Sequence, residues 1–113
     1  MQSKHLRFGK GFCVAIGNSR SQAAEMVIPP VEAEGDPQNR HRGADQWLYV
    51  VAGTGSALVN GKRYKLAPGS LLLIERGDPH EIKNTGEESL RTLNIYVPPA
   101  YSQSGDELPP AKA

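Results

Sequence analysis

A chain of 113 residues with 13 Lys and Arg against 12 Asp and Glu carries a formal charge of +1, too little to generate the field that draws a protein to nucleic acid or an anionic membrane. The length suits one domain around one core, and 12 Gly with 9 Pro favour many short elements joined by tight turns over a few long helices. The lone Cys13 excludes a disulfide framework, and the lack of any apolar run long enough for a signal-peptide core or a bilayer span predicts a soluble cytoplasmic protein.

In chain order, the basic residues Lys4, Arg7 and Lys10 are too few and too spread for a binding motif and read as a solvated arm, with His5 exposed on it. Phe12 to Ile16 and Ala23 to Ile28 are β-prone runs, the second ended by Pro29 and Pro30, and Cys13 in the run FCVAI reads as a small core residue. VEAEGDPQ, from Val31 to Gln38, is polar and broken by Gly35 and Pro37, which predicts an exposed crossing. A strand then begins near Asn39, with Asn39 and His41 on one face and Arg40 and Arg42 on the other.

After a turn at RGAD, Gln46 opens the strand QWLYVVA, sharing a face with Leu48 and Val50; Trp47, Tyr49 and Val51 take the opposite face, which is expected to be covered too. Gly53 and Gly55 flank a tight connection to SALVN, and Asn60-Gly61 is a strong two-residue hairpin signal leading into Lys62 to Leu66. Leu71 to Ile74 is an apolar strand, ERGDP a turn, and His80, Ile82 and Asn84 share one face of the next strand. Leu90 to Val97 closes the sheet, with Leu93, Ile95 and Val97 alternating against Asn94 and Tyr96. Short strands at this spacing with no helices between them read as an antiparallel sandwich or barrel over residues 1–99, followed by an extended or disordered tail over 100–113.

The stretch from Ala33 to Asn84 resembles the cupins, small jelly-roll proteins whose two motifs are G(X)5HXH(X)3,4E(X)6G and G(X)5PXG(X)2H(X)3N. In the first, His41 falls on the second histidine, Gln46 on the glutamate and Gly53 on the closing glycine, while Asn39 takes the place of the first histidine and Ala33 that of the leading glycine. In the second, Gly69, Gly77, His80 and Asn84 fall on pattern, and Glu75 takes the place of the proline. The resemblance implies an all-β antiparallel jelly-roll barrel and a divalent metal ion (Zn, Fe, Ni, Cu or Mn) held by Asn39, His41, Gln46 and His80.

Two imidazoles and two amides form a weaker, uncharged ligand set than three histidines and a glutamate. Two readings of these four residues stand open: a bound metal, or a polar cluster that satisfies itself by hydrogen bonds and ordered water. Two readings of function follow. One is a mononuclear metal cupin acting on a small organic acid or ketone by dioxygenase, isomerase or decarboxylase chemistry; the other is a binding module that holds a small ligand without turnover. Exposed sheet edges predict a homodimer, with the N-terminal strands or the C-terminal tail at the contact.

Overall fold

Asn60 and Gly61 both adopt positive φ, 51° and 76°, which is what a two-residue hairpin with the right-handed strand twist requires. They join β5 (Gly55–Val59) to β6 (Lys62–Leu66), and around this hairpin a computed structural model describes residues 1–36 and 43–108 as nine antiparallel strands. The others are β1 (Gly11–Gly17), β2 (Gln22–Ile28), β3 (Ala33–Asp36), β4 (Asp45–Ala52), β7 (Leu71–Ile74), β8 (His80–Asn84) and β9 (Leu90–Val97). One sheet has the order β1-β2-β9-β4-β7 and the other β3-β8-β5-β6. Most connections pass from one sheet to the other, as in a jelly roll. Among the described residues no helix is long and apolar enough to cross a membrane.

The sheets face each other over one apolar core. Met26, Ile28, Leu48, Val50, Ile74 and Leu90 come from the five-stranded sheet and Ala57, Leu66 and Ile82 from the other. Full burial of each large aliphatic side chain contributes roughly 1.5–3 kcal/mol. Gly53, the closing glycine of the first motif, has φ +88°, and a Cβ there would lie 2.5 Å from the Ser89 carbonyl oxygen and 2.9 Å from the Leu90 Cα. This position therefore has no room for a side chain where β4 leaves its sheet.

Three expectations are corrected. The polar stretch after Val31 is an added strand: β3 pairs with β8 from Ala33↔Lys83 to Asp36↔His80. Its residues are weak strand formers and Ala33, Glu34 and Gly35 are exposed, so only the partner strand reveals it; Gly35, φ +94°, lets the backbones close to a distance at which a Cβ would sit 2.6 Å from the His80 carbonyl oxygen. Cys13 is exposed, because β1 is an edge strand with its alternate residues turned outward. The N-terminal arm is solvated as expected, with Lys4, His5, Arg7 and Lys10 exposed, and it is also tied to the sheet. The Phe8 N–H donates to the Glu25 carboxylate (2.6 Å), the Gln2 amide to the Gly17 carbonyl (2.7 Å), and Glu25 and Val27 on the outer side of β2 are buried.

Finally, the chain leaves the outer face of β4 open: Trp47, Tyr49 and Val51 are 42%, 43% and 40% exposed, beside Leu71 at 60% and Leu73 at 45%. Trp47 pairs across to Leu73 and Tyr49 to Leu71, so these side chains form one apolar stripe.

The alternation in β9 resolves against hydrophobicity. Thr92, Asn94 and Tyr96 are buried, while Leu93 and Ile95 are half-buried and Val97 is exposed. Pairing decides this: Val50↔Thr92, Leu48↔Asn94 and Gln46↔Tyr96 tie the inner face of β9 to that of β4.

Beyond Pro99 the chain folds back. The Leu108 N–H donates to the Ala100 carbonyl and the Ser102 N–H to the Asp106 carbonyl, making a small turn-back held by Gln22. The Gln22 side chain accepts from the Ala100 and Tyr101 N–H groups (3.2 and 3.1 Å) and donates to the Tyr101 carbonyl (2.6 Å).

Candidate functional site

His80 opens β8, delivered by a turn whose hydrogen bonds converge on Asp78. The Asp78 carboxylate accepts from the Glu75 N–H (3.0 Å) and from the Asn60 amide (2.9 Å), and Gly77 takes φ +88° within the turn. The Asp78 carbonyl lies 3.3 Å from His80 Nδ1. A carbonyl only accepts, so this long contact is a hydrogen bond when Nδ1 carries the proton.

At the far end of β8, Asn84 is 1% exposed and fully engaged. Its amide nitrogen donates to the Ile28 and Glu88 carbonyls and its oxygen accepts from the Gly86 N–H, all at 2.8 Å. The second motif's asparagine thus splices β8 to the end of β2 and to the loop after it, and holds the strand that carries His80.

Gln46 enters from the opposite sheet, between Tyr96 of β9 and Ile74 of β7. It lines, with His80, a cavity of about 250 Å³. The remaining walls include Met26 and Ile82 at the core side, Glu34 and Gly35 of β3, and an aromatic group of Phe12, Tyr96 and Tyr101. Tyr101 stands 4.5 Å from Phe12 and 5.1 Å from Tyr96, centroid to centroid, so the turn-back after Pro99 supplies part of the wall.

Gln46 is 3% exposed. Its amide nitrogen donates to Asn94 Oδ1 (2.8 Å), and its Oε1 is buried with no hydrogen-bond partner among the described residues. A buried acceptor left unsatisfied costs about 1–3 kcal/mol.

Of the four residues implicated by motif, the structure thus brings Gln46 and His80 to one cavity. Asn39 and His41 lie outside the described residues. Among the described residues no group of three or more His, Cys, Asp or Glu is placed to hold a metal ion. The donors at hand, one buried imidazole and one orphaned amide oxygen, fit a divalent cation as neutral ligands and need further donors to complete a sphere.

The family model for the cupin domain matches residues 24–96. The chain belongs to the cupin family. It is 29% identical over 83 residues to an oxalate-binding protein of Thermotoga maritima, across 74% of this chain and 67% of that one. It is also 34% identical over 76 residues to a 5-aminosalicylate 1,2-dioxygenase of Comamonas sp., of which the match spans 20%.

Among solved structures, a protein of Thermus thermophilus superposes with a TM-score of 0.74 at 22% identity, covering 87% of this cupin and 98% of that chain. A Thermotoga maritima protein described as a predicted oxalate decarboxylase gives 0.69 at 25% identity, covering 78% and 79%.

Motif spacing did not point to Asn94, Thr92, Tyr96, Phe12 or Tyr101. For the three on β9 only the pairing with β4 supplies the reason, since a residue opposite Leu48 shares its face. For Tyr101 no local signal exists, because its place depends on Gln22, far away in sequence.

Proposed function

We propose that this cupin binds a small organic acid through a divalent cation held in its cavity by His80 and Gln46, with Asn39 and His41 as the further donors. One observation carries the reading: Gln46, whose buried amide oxygen has no partner among the described residues, lines the same cavity as the buried His80. Neutral ligands leave the charge of the ion uncompensated, and the bound ion would supply Lewis-acid pull on a carboxylate or ketone oxygen. The names of the relatives, an oxalate-binding protein and a predicted oxalate decarboxylase, support a small carboxylate as the ligand.

As an enzyme such a site would act in the manner of a dioxygenase, isomerase or decarboxylase. Binding without turnover is the second reading, and it is favoured by the residue at position 46: an amide tied to Asn94 neither takes nor gives a proton. Protein purified without chelator is expected to take up zinc or manganese on calorimetric titration, and to bind oxalate only when loaded. Failure to take up any divalent metal would remove this reading.

We also propose that a second copy of the chain covers the apolar stripe of Trp47, Tyr49, Val51, Leu71 and Leu73. The stripe carries no charge, and the partner it suits is a face equally uncharged, which a two-fold axis supplies from the same chain. The exposed lone thiol of Cys13 suits a reducing cytoplasm. Size-exclusion chromatography with light scattering is expected to show a dimer that Trp47→Glu converts to monomer; a wild-type monomer at micromolar concentration would rule the contact out.

A further inference from the structure

Gln46 ends a chain of hydrogen bonds that begins at a backbone carbonyl. The Met26 carbonyl can only accept, so the Thr92 hydroxyl spends its one proton there (2.8 Å). The Thr92 oxygen is then an acceptor, and Asn94 meets it with Nδ2 (3.0 Å). That turns Asn94 Oδ1 toward β4, where Gln46 meets it with Nε2 (2.8 Å). The two ends of an amide are alike in shape, and the sense of the chain alone decides between them. Thr92 and Asn94 are both fully buried, so no water competes for these bonds.

We propose that Thr92 and Asn94 are positioning residues that hold the Gln46 amide with its nitrogen on Asn94 and its oxygen, never its nitrogen, as the end left for a ligand. Position 46 then accepts an electron-poor partner, a divalent cation, and turns away a bare carboxylate. The inference rests on the cavity being the ligand site, but the orientation of the amide stands apart from the identity of the ligand.

Thr92→Val keeps the shape and removes the hydroxyl. Asn94 Nδ2 loses its acceptor and is free to turn toward Gln46 Oε1, which would bring the Gln46 nitrogen round to the cavity. Thr92→Ser keeps the hydroxyl and serves as the rescuing variant. The readouts are hydrogen exchange of the Gln46 side-chain NH2, followed by NMR, and affinity for Zn²⁺ alone by calorimetry.

In the wild type the Gln46 NH2 protons are expected to exchange slowly. Thr92→Val should speed that exchange and weaken Zn²⁺ binding, each by about tenfold, the worth of one lost hydrogen bond. Thr92→Ser should restore both. Wild-type exchange as fast as that of a free glutamine, or a Thr92→Val variant unchanged in exchange, would overturn the proposal; the first needs no variant to fold. Slow wild-type exchange, quickened by Thr92→Val, in a protein that takes up no Zn²⁺ would support the orientation and count against the metal reading alone.

Discussion

Asn84→Ala lowers the unfolding free energy by about 3 kcal/mol, the expected cost of leaving the buried Ile28 carbonyl and two part-buried groups, the Glu88 carbonyl and the Gly86 N–H, without their side-chain partner. For a domain of this size the melting temperature falls by on the order of 10 °C. Lost hydrogen bonds rather than lost bulk set this cost: the Asn84 side chain meets Ile28, Glu88 and Gly86 at 2.8 Å each and is itself only 1% exposed.

Asn84→Asp separates this account from one based on packing, since it conserves volume. It replaces the donor to two carbonyls by an acceptor, so the folded state favours the protonated carboxyl and raises its pKa above the unfolded value. That variant is therefore more stable at acid pH, where the carboxyl donates one bond, and loses stability as pH rises through the folded pKa. Thermal unfolding of both variants across pH checks the account, and an Asn84→Asp variant as stable as the wild type at neutral pH would contradict it.

His80→Ala is the second large effect, and it falls on binding instead of stability. Loss of an outer-shell partner alone typically costs about 10–100-fold in metal affinity, so loss of a ligating imidazole is expected to cost roughly 100-fold or more. The barrel should remain folded, because the nine-residue aliphatic cluster at its centre does not include His80. Calorimetry with zinc and circular dichroism on the same sample read the two effects separately. A variant that keeps wild-type affinity shows that the imidazole is not a ligand.

The two expectations divide the second motif by role. His80 and Asn84 share a face of β8, and both are buried, yet one lines the cavity while the other ties strand ends together. Gly77 belongs with Asn84 in this respect: its φ of +88° shapes the turn that aims His80. A motif spaced for a ligand is thus mostly spaced for the strand that carries it.

Sequence alone determined the local elements. Alternation placed Gln46, Leu48 and Val50 on one face, Asn60-Gly61 announced its hairpin, and the interval from Gly69 to Asn84 marked the family, because turn chemistry and strand period are written in neighbouring residues. It was silent where a partner strand supplies the reason: β3 is a strand only against β8, and Thr92 and Asn94 face inward only because β9 pairs with β4. Tertiary structure also decided that Tyr101 walls the cavity, through Gln22, and that the amide of Gln46 is oriented from the carbonyl of Met26. These contacts join residues far apart in the chain, and no local preference of either partner encodes them.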